Sequence, residues 1–144
     1  EYYDDKILHA KRHYQHFQLD YTHPDYLFCS FDLHQVVENL LKAIPLVYTL
    51  YGYKEHDLEF LIGKCKPYTL ELAKVFPCDT DEEKRLFDLL RRAYLEARYN
   101  DKFVVTKADI DALVPKIELL RDIVEKVCKE RIAEYCSYAG SSHR

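Results

Sequence analysis

Glycine appears three times and proline five times in 144 residues, too seldom for the repeated tight turns of an all-β sandwich. No uninterrupted apolar run approaches the ~18–20 residues that span a bilayer, so no membrane-crossing helix is expected. The N-terminus is polar and charged from Glu1 to Lys6 and carries no secretory signal pattern. The five cysteines (Cys29, Cys65, Cys78, Cys128, Cys136) are odd in number and form no Cys-x-x-Cys. They read as reduced thiols of a cytoplasmic protein, with small packing roles, rather than as a disulfide framework. Gly-x-Ser-x-Gly, a glycine-rich phosphate loop and His-Glu-x-x-His are all missing, which leaves no nucleophile signature to build on.

Apolar residues at 48% and charged ones at 32% describe an ordinary globular chain, long enough for one hydrophobic core. The formal net charge of -4 argues against a protein that coats nucleic acid, so any phosphate binding must be local, at a pocket or small patch.

Apolar spacing of three and four predicts helices joined by short breaks. The first runs from about Tyr2 to Leu19. The second starts near Asp25 and carries Phe28, Phe31, Val37, Leu40, Leu41 and Ile44, with Pro45 expected to kink it or to end and restart it. After a break at Gly52, a short helix over Asp57–Ile62 should stop at Gly63, and another should cover about Thr69–Val75. Thr80 with Glu83 is a capping-box signature for a helix reaching Tyr99. Thr106 with Asp109 is a looser version for the last helix, in which Pro115 predicts a local bend. The 101–105 segment has some strand character but no partner. The expected fold is an all-α, antiparallel up-and-down bundle of about five helices over residues 1–138, followed by a flexible tail at 139–144.

His9, His13 and His16 share a face of the first helix at a spacing that holds zinc only if a fourth ligand comes from elsewhere. No Glu-x-x-His occurs to complete a bundle metal site, so neither a metal nor any other cofactor is expected. His34, Glu38 and Lys42 read as a polar side of helix two with i,i+4 pairing, or as the lining of an inter-helix groove. At Glu55-His56-Asp57-Leu58 the choice lies between capping and ligand contact, and the two are compatible. The end of the fourth helix, Leu89–Asn100, carries Arg91, Arg92, Arg98, Tyr94 and Tyr99. Asp88 can neutralise Arg91 or Arg92, and Glu96 can neutralise Arg92. Arg98 has Tyr94 and Leu95 one turn behind it, which leaves its fork for a phosphate or for a structural role at the helix end.

In order, Leu33-His34-Gln35-x-x-Glu38-x-x-Leu41-Lys42-Ala43, Gly52-Tyr53-x-x-His56-Asp57-Leu58, Phe76-Pro77 and Tyr94-x-x-Ala97-Arg98-Tyr99 resemble the HEPN family of all-α domains. The family takes its name from higher eukaryotes, prokaryotes and nucleotide binding. The resemblance implies a five-helix bundle that pairs into homodimers. It also implies a partnership with a minimal nucleotidyltransferase domain, in cis or in trans; in the fused case this chain would be the C-terminal half of a longer protein. Many HEPN domains are metal-independent RNases with an Arg-x(4–6)-His motif. Here no histidine follows Arg91, Arg92 or Arg98 at that distance; His143 is the next one, and His16 follows Arg12 too closely. The expectation is therefore a non-catalytic nucleotide- or RNA-binding and interaction module, with no catalytic residue assigned. Arg98 would contact phosphate, Tyr99 would stack, and Asn100 would bond a base or sugar, with help from His56, Lys42, Arg92 and His34. Two alternatives stay open. One is a toxin-like RNase with an atypical site supplied by His34 or His56. The other is a structural dimerisation domain using the Arg/Tyr helix end as its interface.

Overall fold

The computed structural model describes residues 2–23 and 25–142, with side chains over 3–23 and 25–137. Among them are five α-helices: α1 (Tyr2–Thr22), α2 (Tyr26–Thr49), α3 (Leu58–Cys65), α4 (Asp81–Tyr99) and α5 (Lys107–Ser142). A single 3-10 turn, Glu71–Lys74, joins α3 to α4. The fold is an all-α helical bundle, as the spacing predicts.

α2 is its central rod. The other four α-helices pack on it or beside it, and α1, α3, α4 and α5 each contact it directly. Its residues are consequently buried on every side from Cys29 to Leu46, save Phe31 and Gln35. α1 and α5 lie antiparallel on neighbouring sides of it: the Tyr14 hydroxyl donates to Glu118 at 3.3 Å and that of Tyr21 to Asp111 at 2.7 Å.

Local chemistry sets the helix starts. The Asp25 carboxylate accepts from the Phe28 amide at 3.2 Å. At the head of α4 the Thr80 hydroxyl accepts from the Glu83 amide at 3.1 Å while Glu83 accepts from the Thr80 amide at 2.9 Å, a complete capping box. Thr106 and Asp109 exchange the same two bonds, at 3.2 and 3.1 Å, ahead of α5.

Several boundaries differ from the sequence expectation. α1 continues to Thr22. α2 runs unbroken through Pro45, without the expected restart. Proline removes the amide that would bond the Leu41 carbonyl, and the Cys65 thiol donates to that carbonyl instead, at 3.3 Å. Gly63 sits inside α3 rather than ending it. A helical glycine costs only about 1 kcal/mol, and Leu61 and Cys65, both fully buried, anchor the turn around it. The helix expected at Thr69–Val75 shrinks to the 3-10 turn, since the stretch between Pro67 and Pro77 is too short to repay α-helix nucleation. Residues 101–105 form a turn closed by the Phe103 amide on the Asn100 carbonyl at 3.1 Å, with no strand. Of the tail expected at 139–144, the backbone to Ser142 belongs to α5; His143 and Arg144 lie outside the described residues.

Candidate functional site

Because α2 has neighbours all round, its polar residues from Ser30 to Lys42 are buried, save Gln35. His34, Glu38 and Lys42 are 0%, 4% and 5% exposed, which corrects the reading of a solvated polar side of helix two and puts the three between helices. The i,i+4 pairing itself is present, with Lys42 Nζ 3.0 Å from Glu38 Oε2. Buried this way, the pair has lost its water and depends on hydrogen bonds to offset that cost. The second Glu38 oxygen supplies one of them by accepting from His56 Nδ1 at 2.8 Å. His34 stands 3.9 Å from the same oxygen. Burial pushes its imidazole down to about 4 against the pull of the Glu38 charge, so His34 is neutral, and the Gln35 amide donates to its Nδ1 at 3.2 Å.

Glu38 therefore links the buried Lys42 to His56 at the surface. Opposite a carboxylate, His56 Nδ1 bears the proton of that bond. The His56 side chain is 51% exposed where Glu38 is 6%, so the ring lies at the boundary.

Tyr94 of α4 is the hub on the outside. His56 meets its ring edge-on at a centroid distance of 4.3 Å, and His34 does so from below at 5.3 Å. The Arg98 guanidinium lies 4.7 Å from the same centroid, 4.9 Å from Phe31 and 5.2 Å from Tyr99. Arg98 Nε donates to the Tyr94 carbonyl at 3.0 Å, and among the described residues Arg98 has no carboxylate partner. Its positive charge is held by π faces, whose quadrupole attracts a cation without neutralising it.

The other two arginines are neutralised. Arg92 bonds Glu96 through Nε and stands 3.7 Å from Asp88, as the helical spacing predicts. Arg91 reaches out of its helix to Asp57 at 3.0 Å and Glu59 at 2.9 Å. Asp57 occupies the cap position of α3 but gives it no side-chain cap bond. Burial raises its carboxyl, and the Arg91 hydrogen bond and charge outweigh that and hold it below the usual carboxylate range.

The residues singled out by sequence thus divide. Arg98, Tyr99 and His56 converge around Tyr94. His34 meets the Tyr94 ring from the buried side, and Lys42 is tied only to Glu38 behind His56. Asn100 ends α4, where its side chain accepts from the Lys102 amide at 3.0 Å, and it lines with Arg92 a separate recess of about 240 Å³. Arg92 also lines a recess of about 490 Å³ with His56, Tyr94 and Leu95, so it stands between the two. Sequence reading missed Tyr94 as a centre, although its place one turn behind Arg98 signals it. It also missed Phe31 and the tertiary partners of Arg91, which no spacing within one helix reveals. Elsewhere, His13 and His16 meet edge-on at 6.4 Å. Among the described residues no group of three or more His, Cys, Asp or Glu side chains is placed to hold a metal ion. No helix there is long and apolar enough to cross a membrane.

Residues 3–127 match the family model of the HEPN domain. The chain belongs to the HEPN domain family. A comparison with curated proteins finds no relative. HEPN membership places the chain among nucleotide- and RNA-related helical modules.

Proposed function

We propose that this HEPN domain binds a nucleotide, or a short single RNA strand, at the Tyr94 face and does not cleave it. One observation carries the reading: Arg98 and His56 share the Tyr94 ring, at 4.7 and 4.3 Å from its centroid. One is a guanidinium with no carboxylate partner among the described residues, and the other an imidazole whose side chain is half exposed. Arg98 takes the phosphate bidentately. Tyr99, 75% exposed, offers its face to a base. The absence of a histidine four to six residues after Arg98 supports binding over cleavage. The reading includes a nucleotidyltransferase domain as working partner, in cis or in trans. It also includes self-pairing, with the 62% accessible Leu95 as an exposed apolar contact.

Titration of wild type and Arg98→Ala with mononucleotides and a short RNA, at low and moderate salt, tests this. Wild type should bind modestly and lose affinity with salt, and Arg98→Ala should bind about tenfold or more weakly. The RNA should come through intact on a gel. Equal binding by both proteins, binding by neither, or shortened RNA overturns the proposal.

A further inference from the structure

A second recess lies between α1 and α5 and shares no residue with the Tyr94 face. The two helices pack chiefly on α2, and they leave between them a cavity of about 490 Å³. That is the size of a small-molecule site, roughly 300–1,000 Å³. Ala10 of α1, Val36 and Leu40 of α2 and Ile117 of α5 form its base. All four are buried, so the base is the hydrophobic core itself. Ile7 and Tyr14, both half-buried, line it from α1.

The rim of the recess carries charges of both signs. Lys11 comes from α1, and Glu118, Arg121, Asp122 and Glu125 come from α5. Two hydrogen bonds fix the antiparallel register of these helices, Tyr14 to Glu118 and Tyr21 to Asp111. Counting along both helices from Tyr14 and Glu118 sets Lys11 level with Arg121, and Ile7 level with Glu125. The recess thus passes three rungs: the Glu118 carboxylate, then two cations, then the Glu125 carboxylate. At 1.5 Å of rise per residue they stand roughly 4.5–6 Å apart.

These charges are not spent on one another. Glu118 accepts from the Tyr14 hydroxyl at 3.3 Å, and Arg121 reaches no nearer than 3.7 Å to its neighbour Asp122. Among the described residues Lys11 has no carboxylate partner and Glu125 no cation partner. Burial and the Glu118 charge raise the Tyr14 hydroxyl above its ordinary value while the Arg121 charge opposes them, so Arg121 stands close to that first rung.

A ligand of one sign is poorly served here. An anion drawn to the two cations has a carboxylate on either side, and a cation drawn to either carboxylate has two cations beside it. A zwitterion satisfies neighbouring rungs at once, through charge-assisted hydrogen bonds. An apolar group on the same ligand then leaves water over the base of the recess.

We propose that this recess binds a small zwitterion with an apolar side, the chemistry of a free apolar α-amino acid. Its carboxylate lies on Lys11 and Arg121, its ammonium on Glu125, and its side chain over Ala10, Val36 and Leu40.

The whole chain and its Lys11→Gln and Glu125→Gln variants, each checked for folding by circular dichroism, are titrated by NMR with four probes. These are leucine, phenylalanine, isocaproate, which lacks the ammonium, and isoamylamine, which lacks the carboxylate. Leucine or phenylalanine should shift the signals of Ile7, Val36, Leu40 and Ile117 in the wild type. Isocaproate and isoamylamine should bind about tenfold more weakly than the better amino acid. Lys11→Gln should weaken the amino acid and isocaproate about threefold or more and leave isoamylamine unchanged. Glu125→Gln should do the reverse, weakening the amino acid and isoamylamine but not isocaproate. The comparison of the four probes on wild type stands without either variant. A single-sign probe that binds as tightly as the amino acids, folded variants without this split, or no binding by wild type overturns the proposal.

Discussion

Asp32 is 6% exposed, and its Oδ2 has no hydrogen-bond partner. Burial first, then the hydrogen bond and charge of Asp20 and the charge of Asp25, push its carboxyl up to about 8. In the unfolded chain the same group titrates near the ordinary value of about 4. A carboxyl whose folded value is raised stabilises the fold fully only below its unfolded value, and that stability drains away as pH rises toward 8. Asp32→Asn keeps the shape and removes the titration. Its gain over wild type in thermal unfolding should be near zero at pH 4 and largest at pH 8, on the order of 1–3 kcal/mol for relieving a buried unsatisfied group. Parallel stability curves across that range would refute the assignment. Nothing in the spacing of Asp32 separates it from a surface aspartate, because its fate is set by α1 lying over it. Arg92 is the opposite case. Its partners Asp88 and Glu96 are each one turn away, so the pairing is legible from sequence alone. Arg98 falls between the two. Its lack of a helical carboxylate is legible, but the Phe31 ring that helps hold it comes from another helix.

Elements with a local cause were legible, and elements decided by packing were not. The Thr80–Glu83 box fixes the start of α4 whatever lies around it. The end of α2 is different: the expected break at Gly52 gives way to a stop at Leu50, which adopts φ 61°, ψ 14° and donates its amide to the Leu46 carbonyl. This left-handed position suits glycine, because a β-carbon there crowds the carbonyl at a cost of roughly 1–2 kcal/mol. Leu50 is 81% exposed and returns little of that by burial. Leu50→Gly should therefore stabilise the domain by about 1 kcal/mol, less the extra unfolded-state entropy of glycine. Chemical denaturation measures the difference. A loss of stability would mean that the Leu50 side chain is covered in solution, for example in a dimer. The polar stripe of α2 was misjudged for the same reason that Gly63 was. A helix in the centre of a bundle obeys its neighbours more than its own amphipathicity, and α2 has four of them.

For the molecule as a whole, the balance of -4 and the pairing of its arginines limit how nucleic acid can bind. Arg85 is tied to Glu82 and Asp109 at 2.7 Å each, Arg91 to Asp57 and Glu59, and Arg92 to Asp88 and Glu96. Exposed pairs are individually weak, at roughly 0–1 kcal/mol. Even so, each arginine must exchange a carboxylate for a phosphate and leave that carboxylate facing the ligand. The cation at the Tyr94 face without that penalty is Arg98. Each phosphate neutralised on a single strand contributes a slope of about -0.7 in log affinity against log salt. One or two contacts at this face predict a slope between about -0.7 and -1.4 for a short RNA. A domain that freed Arg85, Arg91 and Arg92 as well would exceed about -2.5. Titrations across 50–300 mM salt separate the cases, and the steep slope would move the ligand from a single pocket to the whole length of α4. The shallow one would mean that an acidic HEPN domain acquires RNA affinity by leaving one guanidinium on aromatic rings instead of carboxylates.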